Sequence, residues 1–269
     1  MKYCVAYVDR RDEAEPAFNE VEEILISYNH TDTTLPRFME EHSHQTVNIR
    51  FSAAIPDDAQ ERLVGFHNKY HNIKLVISNR FYESHKDFLN QSGIPFYFYD
   101  AFASSWDMLD DLLATPVSDI YVNCELAFHM TIVANRIHEA GKSVRVIPNV
   151  ASSSYMINSK RGMNSFFIRP EDTFLYENLV DVFEFQDASP IMSYKVYKSQ
   201  KWFGKLNEII TNLDSAIDNR AIPSLFGATR IRCQKRCGAK GTCRVCRLVE
   251  QLSETMVNND LIFKKGENY

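Results

Sequence analysis

Glycine is scarce in this chain. There are nine among 269 residues, and none are arranged as GxGxxG or GxxxxGK[ST]. Sheets that cradle a dinucleotide or a nucleoside triphosphate on backbone amides need such a loop after a strand, so both signatures are missing. No apolar run approaches the roughly 20 residues of a membrane helix, which predicts no membrane partner. The opening MKYCVAYVDRR breaks a short apolar stretch with tyrosine and then charge, and lacks the small-residue cleavage site of a secretory leader. The expectation is a cytoplasmic protein, where thiols stay reduced and clustered cysteines point to metal. There is no GxSxG and no HExxH. His67 and His71 in HNKYH are four apart, but without that motif they read as a solvated helix face.

What is present is a folded, core-building composition, 45% hydrophobic and 24% charged. One unit recurs: a short run rich in β-branched and aromatic residues, then an amphipathic stretch. The runs are KYCVAYV from Lys2, TVNIRF from Thr46, IKLVIS from Ile73, PFYFYD from Pro95, DIYVNCE from Asp119, VRVIPN from Val144, SFFIRPED from Ser165 and DVFEFQD from Asp181. Between them EPAFNEVEEILISY, PDDAQERLVGFHNKY, SHKDFLNQSG, SSWDMLDDLLA, AFHMTIVANRIHEAGK and EDTFLYENLV read as helices, the fifth closed by Gly141. Strands alternating with helices imply a parallel sheet. Eight units predict an α/β fold of the (β/α)8 TIM-barrel-like kind, irregular between Ala151 and Asn164 where a full helix has no room. The expected division is a barrel over 1–190 and a C-terminal helical extension over 191–269.

A barrel of this kind does its chemistry at the carboxyl ends of its strands. Those ends are polar here: Asp9, Arg80, Asp100, Asn123, Asn149 and Gln186 are candidates for substrate binding. Glu125, Arg169, Glu171 and Glu184 are candidates for catalysis, as carboxylates and a guanidinium suited to acid–base work. Alternation places Tyr121, Asn123 and Glu125 on one face, Arg169 and Glu171 on one face, and Glu184 with Gln186 opposite Phe183 and Phe185. The more apolar face should meet the helices. The competing reading is that these are ordinary ion pairs and caps, with RPED simply opening a helix with acids.

Near the end stands CQKRCGAKGTCRVC, which puts Cys233, Cys237, Cys243 and Cys246 within fourteen residues. The close CRVC pair lets two thiolates reach one ion, and Gly238 and Gly241 let the loop fold back. Four thiolates suit a 4Fe–4S cluster or tetrahedral zinc. Cys4 and Cys124 lie on strand runs and read as core thiols. Arg230, Arg232, Lys235, Arg236, Lys240, Arg244 and Arg247 surround the cluster without one acid, while the whole chain carries −5, so the remainder carries −12. This basic island either balances the negative metal–thiolate centre or also touches a nucleic-acid backbone.

The run CELAFHMTIVANRIHEAGKSVRVIPNVASSSY resembles a stretch of the peptidase U32 family, and KVYKSQKWFGKLNEIITNLDSAID is similar to that family's post-barrel segment. The resemblance implies a barrel, a four-cysteine 4Fe–4S cluster, and either proteolysis or hydroxylation of RNA bases or a quinone precursor. The chain departs from the pattern at Pro148, Asn149 and the following serines, where the family has histidine and cysteines, and its own cysteines form one compact group. The expectation is an enzyme modifying RNA or a related polar substrate, or a peptidase-like one. The alternative is a non-catalytic barrel with structural zinc that binds protein or nucleic acid.

Overall fold

The structure, a computed structural model, describes residues 1–7, 16–28, 34–51, 55, 57–122, 129–150, 167–187, 189–211, 215–217 and 262–264. Nine strands form one sheet: β1 (Lys2–Ala6), β2 (Glu23–Ser27), β3 (Thr46–Arg50), β4 (Ile73–Ile77), β5 (Phe96–Phe98), β6 (Phe102–Ala103), β7 (Asp119–Val122), β8 (Ser143–Val146) and β9 (Val182–Phe185). Their order is β5-β4-β3-β2-β1-β9-β8-β7-β6, and every ladder is parallel. The two ends of that list meet on one strand. β6 pairs with β7 at Tyr121 and Val122, while Ser118, just before β7, donates its backbone N–H to the Phe96 carbonyl of β5 at 2.8 Å. The result is a nearly closed parallel barrel with helices around it.

The helices are α1 (Leu35–Glu41), α2 (Asp57–Tyr70), α3 (Asn79–Ser84), α4 (Lys86–Ser92), α5 (Trp106–Ala114), α6 (Met130–Glu139) and α7 (Pro190–Ser199). Local chemistry marks their ends. Ser78 and Ser105 accept from the backbone N–H groups of Phe81 and Met108 at 3.0 and 3.2 Å, capping α3 and α5. Gly93 and Gly141, at φ of 67° and 71°, follow α4 and α6 in the left-handed conformation that a Cβ disfavours. The helices seal the outward strand residues, such as Val47, Ile49, Leu75, Ile120, Val144, Phe183 and Phe185, into one large apolar layer. Each side chain of this size contributes about 1.5–3 kcal/mol by leaving water.

Two readings of the sequence are corrected here, and they offset each other. EPAFNEVEEILISY is not a helix: Pro16–Glu20 is a 3-10 turn and Glu23–Ser27 is β2. Glu23, Ile24, Leu25 and Ile26 are all buried, because a parallel strand covered on both faces loses the polar alternation that would announce it. SFFIRPED is not a strand over its described part. Arg169 leads into a 3-10 helix, Pro170–Tyr176, where Pro170 has no N–H to give a ladder and Arg169 turns back onto Asp172. The same 3-10 helix replaces the helix expected over EDTFLYENLV, while SHKDFLNQSG carries its expected helix at Lys86–Ser92, preceded by the unanticipated short helix Asn79–Ser84.

The barrel also continues past the expected boundary at 190. α7 covers β1 and β9, with Tyr194 edge-on to Tyr3 at 5.3 Å and Tyr197 beside Phe185 at 5.1 Å. Leu206 and Ile210 are buried as well. From there the chain reaches the carboxyl end of β8. The Thr211 N–H and hydroxyl both donate to the Asn149 carbonyl, at 2.8 and 3.0 Å. Two short strands follow, β10 (Ser215–Ile217) and β11 (Ile262–Lys264), paired antiparallel. The four late cysteines, between these strands in sequence, lie outside the described residues, as does the basic island. Among the described residues no helix is long and apolar enough to cross a membrane.

Candidate functional site

The inward-facing residues of the strands decide what the lumen contains. Successive side chains alternate, so the residues between the outward apolar ones all point inside. This inner set divides into an apolar part, centred on Cys4, Leu25, Val76, Tyr97, Tyr121 and Val182, and a charged part. The charged part is Glu23 on β2, Lys74 on β4, Asp119 on β7, Arg145 on β8 and Glu184 on β9, joined by Asn48 on β3.

Arg145 is the hub. Its side chain is fully enclosed, and its Nη2 donates to Glu23 at 2.6 Å and Asp119 at 3.1 Å, while Nη1 donates to Glu184 at 2.7 Å. The guanidinium also lies 4.3 Å from the Tyr97 ring centroid. Lys74 brings a second cation, 3.0 Å from Asp119 and 3.7 Å from Glu23. Two cations thus face three buried carboxylates, with Arg145 fully enclosed and Lys74 partly exposed, a setting in which losing a partner is costly. Burial pushes the Glu23 and Asp119 carboxyls toward the neutral form, but the Arg145 and Lys74 charges outweigh it and hold both below the ordinary carboxylate range. Burial raises Tyr121, with the Glu184 charge adding to it, so its hydroxyl keeps its proton and donates to Glu184 at 2.5 Å. The Cys4 thiol is raised well above its usual value by burial and then by Glu184, which makes it an inert core thiol.

Above this hub, toward the carboxyl ends, the composition changes. Gln186 follows β9 and contacts Glu184 through its Nε2. A carboxylate only accepts, so the amide NH2 must face Glu184 and the amide oxygen must face away. That oxygen receives the Nη2 of Arg50, the last residue of β3, at 2.7 Å. The Arg50 guanidinium lies 5.4 Å from the centroid of Tyr99. Of the described residues that end a strand of the barrel, Arg50 is the one cation.

The structure treats the expected site residues unequally. Glu184 and Gln186 lie in the lumen on the face opposite Phe183 and Phe185, which the alternation of DVFEFQD implied. Asp9, Asn123 and Glu125 lie outside the described residues. Arg80 is exposed on α3, and Asp100 accepts from the Asn79 backbone N–H at 2.9 Å, tying down the start of that helix. Asn149 is buried at the end of β8, bonded to Asp187 and Ser193 and, through its carbonyl, to Thr211. Arg169 and Glu171 do not share a strand face in the lumen, because the segment is not a strand. Arg169 makes a two-pronged pair with Asp172 at 2.7 and 2.9 Å, and Glu171 accepts from the Trp202 backbone N–H at 2.6 Å. His67 and His71 meet edge-on at 6.1 Å. Among the described residues no group of three histidine, cysteine or acidic side chains is placed to hold a metal ion.

Arg50, Glu23, Lys74, Asp119 and Arg145 were absent from the sequence-based candidates. The signal was a charge at the inward parity of an apolar strand: Arg145 between Val144 and Val146, Lys74 between Ile73 and Leu75. Glu23 gave none, because it stood in a segment read as helix. No protein-family model, curated protein or solved structure matches this chain.

Proposed function

We propose that this chain is a (β/α)8 enzyme, U32-like in layout, that binds a polar substrate at the carboxyl ends of its strands and carries a 4Fe–4S cluster on Cys233, Cys237, Cys243 and Cys246. Its substrate class is RNA or a related polar molecule, and the reaction is hydroxylation or a related modification. The observation that supports this most is the anchoring of Thr211 on Asn149. The chain enters its cysteine-bearing tail from the carboxyl end of β8, the end at which barrels of this kind do their chemistry. A tail held there serves a reaction better than a tail held on the opposite face.

The donor set fits the group. Cys4 is enclosed with its thiol protonated, and of the five other cysteines Cys124 stands apart while four lie within fourteen residues, the number a cluster needs. Such a cluster supplies one-electron chemistry. The barrel's own residues bind and orient. Arg50, oriented by Gln186, meets the substrate's polar edge, while Glu184, held by Arg145, Tyr121 and Gln186, fixes that arrangement. Glu125, which follows β7 in sequence, is the acid–base candidate. The seven basic residues among the cysteines offset the cluster's charge and meet a phosphate backbone.

Purification without air tests this directly. The expected result is a brown protein with about four irons and four sulfides per chain, lost in Cys237→Ser and kept in Cys4→Ala. A colourless protein with stoichiometric zinc would instead support a binding module with a structural metal, and the enzyme reading would be given up.

A further inference from the structure

Among the described residues the lumen holds two arginines in different situations, and the difference identifies a binding subsite. Arg145 meets three carboxylates through its two Nη atoms, though its enclosed Nε has no acceptor. Arg50 makes no ion pair among the described residues, although its Nε is enclosed and has no acceptor. Its one strong contact is the neutral Gln186 oxygen, and one face of its plane is held against Tyr99. A partly buried guanidinium that has no counter-charge among the described residues is left able to take one from a ligand. A structural ion pair would have placed a carboxylate at Gln186.

We infer that Arg50, aimed by Gln186 and Tyr99, is an oxyanion-binding subsite at the mouth of the barrel, taking the phosphate or carboxylate group of the substrate. This deepens the proposed function and rests on its placing of the substrate at the strand ends. A guanidinium offers parallel N–H donors that match two oxygens of either group, which a lysine does not. Gln186 is a positioning residue. Because Glu184 takes its NH2, its oxygen is committed to Arg50, and the guanidinium is presented in one orientation before the ligand arrives. A glutamate at 186 would turn this arrangement into an internal ion pair and fill the subsite from within.

Titration of the full-length protein with inorganic phosphate and, separately, with acetate tests this, at constant ionic strength against chloride. Calorimetry and the shift in melting temperature are the readouts. The expected result is saturable binding of at least one anion, weakened about tenfold or more in Arg50→Met and less in Arg50→Lys. Preference for phosphate over acetate would identify a phosphorylated substrate, and the reverse an organic acid. Gln186→Glu should weaken binding as Arg50→Met does; if that variant does not fold, the two Arg50 variants decide alone. Absence of saturable binding in the wild type, or equal affinity in Arg50→Met, would overturn the subsite. Iron content should stay the same in every variant, so loss of the cluster reading and loss of the subsite are separately visible.

Discussion

Arg145 and Arg50 stand on neighbouring levels of one lumen, yet one is bound into the protein and the other is left for something else. Arg145 is surrounded by Glu23, Asp119 and Glu184, from three different strands. Arg50 has a glutamine oxygen and an aromatic face. The lower arginine shows how a barrel can fill its centre with charge and remain folded, by meeting every cation with carboxylates. The upper one shows what a cation looks like when the described residues provide position but no counter-charge. The two are linked, since Gln186 touches both Glu184 and Arg50.

The sharpest way to break this contrast is Arg145→Met, which takes the guanidinium from three buried carboxylates and leaves Lys74 as the one cation for Glu23 and Asp119. It is expected to lower unfolding free energy by about 3–5 kcal/mol, read from urea midpoints; a loss under about 1 kcal/mol would mean the hub is not holding the barrel. The variant should also reverse the pH response. In the wild type Glu23 and Asp119 are held below their ordinary values, so the folded state binds fewer protons than the unfolded one. Their stabilisation is complete above the unfolded values near pH 4, and fades as pH falls through the lower folded values. Without the guanidinium the same carboxyls favour protonation, and stability should rise between pH 8 and pH 5. Melting curves across that range separate the two, and a variant with the wild-type slope would contradict the assignment.

Tyr121→Phe removes one donor from Glu184 and leaves the ion pairs intact. About 1.5–3 kcal/mol of destabilisation is expected, smaller than for Arg145→Met, and a measured order the other way round would place the weight of the network on the tyrosine. Arg50→Met should have the smallest effect on stability, within about 0.5 kcal/mol, because no carboxylate among the described residues is paired with it. If it unfolds the protein as Arg145→Met does, Arg50 is structural and the contrast fails.

Much of the barrel could be read in the chain. Ile73–Ile77 and Val182–Phe185 have the composition and length of strands, and Gly141 marks the end of α6 where it stands. The exchange of β2 for SFFIRPED misplaced two segments, and the two-residue β6 (Phe102–Ala103), too short to show as a run, brings the expected eight strands to nine. Buried parallel strands and buried helical turns are equally apolar, and Pro170 speaks against a ladder only once its neighbours are known. The site was less legible. Gln186 and Glu184 followed from alternation along one strand, whereas Glu23 and Arg145 are bonded across 122 residues. No local pattern reports such a pairing.

The sequence alone determined which side of each strand is apolar, because a two-residue period is local geometry and holds wherever the strand is placed. It also determined that four thiols lie close together along the chain. Which charges meet was decided only by the closing of the sheet, since the distance between β2, β7, β8 and β9 is a property of strand order. That closure gave Arg145 three partners and left Arg50 with none of opposite charge among the described residues, although both are inward-facing arginines flanked by apolar neighbours along their strands.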